Sequence, residues 1–260
     1  MNNLIQWPRA QYWDKPWNPW IGCKPCSPAC ENCYAATLAR RFKMSFEPHE
    51  TNQKLPRSGV VFCGNMTDIF GHWMYAGGSA GVVARTLGYS RQATYLWLTK
   101  RPGRMTAALE CGKLLYKDET GEHESPFSDC EFGNQYFGIT AENQLCYDAR
   151  IRELVKYAPS WGKYWISAEP LLGSINLHID LILQSDIPFC WVVVGCESGP
   201  SRRPCKIEWV ESIVEQCLSA NVPVFVKQLD LNGQCERDIT KFPKHLQIRQ
   251  VPWATKGASK

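Results

Sequence analysis

Cys190-Trp191-Val192-Val193-Val194-Gly195, followed by Ile207-Glu208-Trp209-Val210-Glu211-Ser212-Ile213-Val214-Glu215-Gln216-Cys217-Leu218 and then Val222-Pro223-Val224-Phe225-Val226-Lys227, is the succession that decides the fold class. The first run is apolar throughout rather than alternating, as expected of a strand covered on both faces. In the second, Ile207, Val210, Ile213, Val214, Cys217 and Leu218 recur at spacings of three and four, so they share one helix face. The third is apolar again. A strand, a helix and another strand in this order make a right-handed crossover between parallel neighbours.

The same alternation extends towards the N-terminus. Strand-like runs fall at 60–63, 94–99, 136–140 and 164–168. Leu145, Ala149, Leu154, Val155 and Ala158 trace another amphipathic helix, closed by Pro159, and Pro102 stands where a helix should begin. About six strands separated by helices imply an α/β fold around a parallel sheet, open or closed into a barrel. Residues 110–134 break the rhythm with charged, Gly- and Ser-containing sequence and are expected to form a surface insertion. Without repeats, low-complexity tracts or linkers, residues 1–260 read as a single domain.

In such folds chemistry sits at the carboxyl ends of the strands. Here those ends are polar in succession: Asn65 and Asp68; Thr99, Lys100 and Arg101; Thr140, Glu142 and Asn143; Ser167 and Glu169; Glu197 and Ser198; Lys227 and Gln228. Six polar ends exceed what a solvated rim requires and point to a polar pocket.

The segment Asn18-Pro19-Trp20-Ile21-Gly22-Cys23-Lys24-Pro25-Cys26-Ser27-Pro28-Ala29-Cys30-Glu31-Asn32-Cys33-Tyr34-Ala35 carries four thiols spaced C-x2-C-x3-C-x2-C. Thiolates are soft ligands for zinc, copper(I) or iron–sulfur clusters. Zinc knuckles usually stand well apart in sequence so as to approach the ion from opposite sides. Only three residues separate the pairs here, whereas a 4Fe–4S cube can be wrapped by one continuous loop. Pro25 and Pro28 stiffen the loop, and Gly22 permits close backbone approach. Residues 35–42 are expected to be helical, placing the last thiol where a helix dipole favours an anionic group. Cys26, Cys30 and Cys33 alone have the spacing C-x3-C-x2-C; three ligands leave one iron open to S-adenosylmethionine (SAM). With all four thiols bound, a cluster only shuttles electrons or braces the fold. The spacing leaves both open.

The composition restricts the remaining choices. A net charge of +4, with 21% charged residues, permits a nucleic-acid or phosphate partner without arguing for one. The start, from Met1 to Trp7, lacks a basic segment followed by an apolar run. The longest apolar stretch, 187–196, is about half of a membrane span. A cytoplasmic protein with no membrane partner is therefore expected. In that reducing setting thirteen cysteines are better read as ligands and small buried hydrophobes than as a disulfide framework.

Asn-Pro-Trp-Ile-Gly-Cys followed by Cys-x2-Cys-Tyr-Ala resembles the radical SAM branch that includes spore photoproduct lyase. The whole chain is similar to a phage-associated family of radical-SAM-like proteins, through residues 65–70 (NMTDIF), 98–102 (LTKRP), 138–144 (GITAENQ), 167–171 (SAEPL), 195–200 (GCESGP) and 227–228 (KQ). The resemblance implies a partial (β/α) barrel, a 4Fe–4S cluster and SAM. Its ligand pattern, C-x6-C-x2-C, selects Cys23, Cys30 and Cys33 and leaves Cys26 as an alternative or fourth ligand. It further implies that an external donor supplies one electron, that SAM yields a 5′-deoxyadenosyl radical, and that this radical takes hydrogen from the substrate. Asn65, Thr67 and Asp68 would meet the methionyl amine, Lys100 or Arg101 its carboxylate, and Thr140, Glu142 or Asn143 the ribose. Glu169, Glu197 and Ser198 join the expected cofactor contacts. Lys227 and Gln228 would face the substrate, with Cys196 as a hydrogen-atom donor. A modified base or nucleotide in DNA is the substrate by analogy.

Two other readings compete. A barrel glycosidase would use Glu169 and Glu197 as its carboxylate pair, but leaves the cysteines unexplained. A metal- or iron–sulfur-braced nucleic-acid-binding module would use Arg40, Arg41, Lys43, Arg202 and Arg203 with Trp7, Trp13, Trp17 and Trp20.

Overall fold

A computed structural model describes residues 4–89 and 92–255. Every apolar run identified in the sequence forms a strand. Seven strands run parallel: β1 Lys15–Trp17, β2 Gly59–Cys63, β3 Ala93–Thr99, β4 Gln135–Thr140, β5 Tyr164–Ala168, β6 Phe189–Gly195 and β7 Val224–Leu231. They lie side by side in chain order, and β8, Gln234–Glu236, adds an antiparallel edge. A helix fills each of the six crossovers: α1 Tyr34–Arg41, α2 Ala76–Leu87, α3 Pro102–Cys111, α4 Gln144–Tyr157, α5 Ile179–Leu183 and α6 Ile207–Ser219. Crossovers that always step to the next strand curl the sheet, and because β1 and β8 do not pair it stops as a half-barrel.

The sheet has eight strands where about six were expected. β1 has only three residues, one of them Pro16, too few to display a period. Proline is also tolerated at a sheet edge. β8 is joined to β7 by Asn232-Gly233, both at positive φ (51° and 70°), the combination that a two-residue hairpin turn selects. The expected surface insertion forms a hairpin, Lys113–Asp118 with Gly121–Pro126. Its foot is fixed: Phe127 is buried, and Phe132 stacks on Trp161 at 4.2 Å between ring centroids.

Strand alternation divides the core in two. Val61, Tyr95, Trp97, Phe137, Ile166 and Val194 belong to the layer packed with the helices. Their neighbours Phe62, Leu96, Tyr136, Trp165, Trp191 and Phe225 point into the concave side. There they converge on Tyr12, whose ring lies 5.2 Å from Trp191, 5.5 Å from Phe225 and 6.0 Å from Trp165. Trp253, from the short antiparallel pair Leu4–Gln6 with Gln250–Thr255, packs against Trp191 at 5.0 Å. Bulky rings therefore pack the concave side as a floor, above which a space opens at the carboxyl ends of the strands. Among the described residues no helix is long and apolar enough to cross a membrane.

Candidate functional site

That space is a cavity of about 530 Å³. Cys23, Cys26, Cys30 and Cys33 line it on the loop side; Asn65, Thr67, Asp68, Lys100, Arg101, Thr140, Glu169, Cys196, Glu197, Ser198, Lys227 and Gln228 line it from the strand ends. The structure thus gathers all but two of the sequence-selected residues around one volume. Glu142 and Asn143 stand apart from the wall. Asn143 caps α4, accepting the Cys146 N–H at 2.9 Å, and Glu142 is buried against Arg150.

The cysteine loop is held across the cavity by contacts along its whole length. At its start Gly22 donates to Met66 O at 3.0 Å and accepts from Thr67 Oγ1 at 2.6 Å. Next, Arg101 donates through Nη2 to Lys24 O at 2.9 Å while Nη1 pairs with Asp68 at 2.8 Å. Arg203 reaches Pro28 O at 3.0 Å and Glu31 at 3.1 Å, and its Nη2 pairs with Glu197 at 2.6 Å. Glu197 also accepts from Asn32 at 3.0 Å. At the loop's end Cys33 is the cap residue of α1, and the Tyr34 hydroxyl donates to Asn65 O.

These contacts assign several residues to positioning the loop. Asp68 accepts from Thr99 at 2.8 Å and from the Lys100 N–H at 3.2 Å in addition to Arg101, so its lone pairs are taken by the protein. Glu197 accepts four hydrogen bonds, from Asn32 and from the Arg203 backbone and side chain, which hold its carboxyl below the usual range against the opposing effect of burial. A carboxylate so fixed is a poor proton donor, and the glycosidase reading loses its second acid. Gln228 bridges Cys196 O at 2.6 Å and Arg237 at 3.1 Å. Buried ions need such partners. Nothing in the sequence pointed to Arg150, Asn32 or Arg237: Asn32 meets Glu197 across 165 residues, and Arg150 and Arg237 meet Glu142 and Gln228 across a strand-to-helix turn and a hairpin.

Among the described residues that line the cavity, two buried side-chain oxygens lack a hydrogen bond. Asn65 Oδ1 and Glu169 Oε1 are buried and accept no hydrogen bond. Lys227 Nζ lies 3.0 Å from Glu169 Oε1 but is aligned for charge attraction only. Tyr12, below Glu169, has its hydroxyl pushed well above its usual range by burial and by that carboxylate.

All thirteen cysteines are free. Burial raises Cys23 to about 11. A hydrogen bond from Cys26, helped by the Lys100 charge, draws Cys30 down to about 4 and raises Cys26 correspondingly. Among the described residues, no group of three or more His, Cys, Asp or Glu side chains is arranged to hold a metal ion. The expected nucleic-acid surface is divided. Arg40, Arg41 and Lys43 are exposed beside the loop. By contrast, Trp17 is buried against Trp97, Trp7 packs on Trp253, and Trp13 packs on Phe62.

A family model described as a protein of unknown function (DUF5131) matches residues 8–251. The chain belongs to that family. The matched span contains the entire cysteine loop and all strand ends of the sheet. No curated protein and no solved structure matches the chain.

The Glu142–Arg150 pair gives this region a defined pH response. Burial opposes ionisation of Glu142, but the hydrogen bond and charge of Arg150 prevail and lower it from 4.5 to about 2. A depressed carboxyl stabilises the fold fully above its unfolded value, and that contribution is lost as pH falls through the folded one. Acid titration followed by tryptophan fluorescence should show roughly 3 kcal/mol lost between pH 5 and 2. Glu142→Gln should flatten that limb; an unchanged limb would show that other carboxylates control it.

Proposed function

We propose that the chain is a radical SAM enzyme with a 4Fe–4S cluster on the loop thiols. One observation carries the reading: a four-cysteine loop, fixed across the carboxyl mouth of a parallel half-barrel by the Arg101 hydrogen bond to Lys24 O and the Arg203–Glu31 ion pair, shares a single cavity with the polar strand ends. The donor set fits the group, since free thiols in one short loop suit a soft, multi-iron ligand better than a single ion. Cys30 and Cys33 with Cys23 or Cys26 would hold it. Bound there, the cluster would supply the electron that cleaves SAM into methionine and a radical able to take hydrogen from a substrate.

The protein's part is placement and exclusion of water. The aromatic floor closes the cavity from below. Asn65 Oδ1, which accepts no hydrogen bond, would accept from the methionyl ammonium, and Glu169, held by the Lys227 charge, from the ribose. Lys100, beside the thiols, would meet the carboxylate. Lys227 would face the substrate, for which a base or nucleotide in DNA is proposed, with exposed Arg40, Arg41 and Lys43 near the mouth to receive phosphate. The setting is proposed to be cytoplasmic, with an external one-electron donor.

The test is 5′-deoxyadenosine formation from SAM by protein reconstituted anaerobically with iron and sulfide and then reduced. Wild type should form it; Cys30→Ala and Cys33→Ala should fall to background, with one of Cys23→Ala and Cys26→Ala. Iron-loaded protein that needs all four thiols and never cleaves SAM would overturn the proposal in favour of a cluster-braced binding module.

A further inference from the structure

Outside the cysteine loop the molecule holds a second pair of thiols. Cys196 follows β6 and Cys235 lies in β8, and their sulfurs are 3.8 Å apart. The two residues have different surroundings. Cys196 is 2% exposed and lines the cavity wall. Cys235 is only half-buried and sits on the edge strand of the sheet, outside the set of residues that line the cavity. The pair therefore joins the interior of the candidate site to the outer surface through two adjacent sulfurs.

We propose that Cys196 and Cys235 form a dithiol–disulfide redox site that exchanges two electrons with small disulfides and dithiols arriving from solvent at Cys235. The local chemistry suits Cys235 to be the attacking sulfur. The hydrogen bond from Cys196 and the charges of Arg237, Arg202 and Lys227 bring it down to about 7, despite partial burial. A thiol near neutrality combines a useful thiolate fraction with retained nucleophilicity. Cys196, the donor in that hydrogen bond, is held in its protonated form and is shielded from bulky reagents.

The exchange balances as follows. The Cys235 thiolate attacks one sulfur of a disulfide RSSR, forms a mixed disulfide and releases RS⁻. Cys196 then attacks Cys235 Sγ and its proton passes to the second leaving sulfur, which departs as RSH. The protein loses two electrons and RSSR gains them, leaving as one thiolate and one thiol; a dithiol reverses the sequence. Closing 3.8 Å to the ~2.05 Å of a disulfide requires a change in side-chain torsion of either residue. The inference does not depend on SAM chemistry, because neither sulfur belongs to the cysteine loop.

The experiment treats the full chain with glutathione disulfide, blocks remaining thiols with N-ethylmaleimide and maps tryptic peptides by mass spectrometry. Residues 228–237 form a tryptic peptide containing Cys235 as its single cysteine. In wild type that peptide should be lost in free form and recovered linked to residues 164–202, with fragmentation placing the bond at Cys196 rather than Cys190. Dithiothreitol should restore it. In Cys196→Ser the second step is blocked, so Cys235 should accumulate as the glutathione mixed disulfide. Cys205 is buried nearby and serves as the internal control. A bond from Cys235 to Cys205, a persistent mixed disulfide in wild type, or an unmodified Cys235 would each overturn the proposal.

Discussion

Arg101→Met should lower stability by about 3–5 kcal/mol and, given the cluster proposed for the cysteine loop, leave that loop unable to retain reconstituted iron. Arg101 and Asp68 are buried partners, their side chains 8% and 9% exposed. Removing the cation leaves the carboxylate in an environment that penalises charge, and methionine fills the space without supplying donors. The hydrogen bonds from Thr99 and the Lys100 N–H remain, so Asp68 is only partly compensated. Loss at the loop follows from the other end of the guanidinium, which donates to Lys24 O between Cys23 and Cys26. The double variant Arg101→Met with Asp68→Asn separates these effects. With both charges gone, much of the stability should return, whereas iron retention should not, because Lys24 O still lacks its donor. Urea midpoints and iron per chain measure the two quantities. If Arg101→Met shifted neither, Asp68 would have an alternative route to water and the clamp would not be what orders the loop.

How far the sequence foretold this arrangement depends on the distance over which each signal acts. Parallel strands covered on both faces leave a signature within five or six residues, and the run at 164–168 coincides with β5. The amphipathic pattern of α6 and Pro102 at the first position of α3 are equally local. Helix α2 was hidden because Gly77, Gly78 and Gly81 lower its intrinsic propensity, and its stability comes from packing Val82, Val83 and Leu87 on the sheet. Most of the polar strand ends line one cavity, Glu142 and Asn143 being the exceptions. Their division of labour was not legible: Asp68, Arg101 and Glu197 look in sequence like ligand contacts, yet Arg101 and Glu197 bond the cysteine loop and Asp68 holds Arg101 in place. Asp68 reaches that loop only through Arg101, and the distinction depends on Asn32 meeting Glu197 across 165 residues and Arg203 meeting Pro28 across 175, which no local period encodes. Cys235 was overlooked for a related reason, since only the Asn232-Gly233 turn folds it back beside Cys196.

Gly22 is the position where the sequence reading and the structure agree most directly, and it gives the second large effect. Its φ of +95° is one that L side chains rarely adopt. A Cβ there would lie 2.5 Å from Phe46 O and closer still to Glu47 O, both backbone atoms that cannot rotate away. Gly22→Ala should therefore cost about 2–4 kcal/mol, combining backbone strain with displacement of the 46–47 segment. The shift would also break the bonds to Met66 O and from Thr67, which fix the position from which Cys23 enters the cavity. Gly81→Ala provides the contrast. It sits within α2 with nothing within 4 Å of a new Cβ, so alanine should stabilise by about 0.5–1 kcal/mol through helix propensity. Opposite signs from the same chemical change, read by denaturant midpoint, would trace the cost to the entrance of the cysteine loop and not to a general response to added methyl groups. Equal midpoints and equal iron content in both variants would mean that the loop can settle elsewhere, and the fixed entry assigned to Cys23 would be wrong. A loop that tolerated the methyl group would also weaken the case for Cys23 over Cys26 as a ligand, because the direction in which Cys23 leaves Gly22 is what brings it to the cavity.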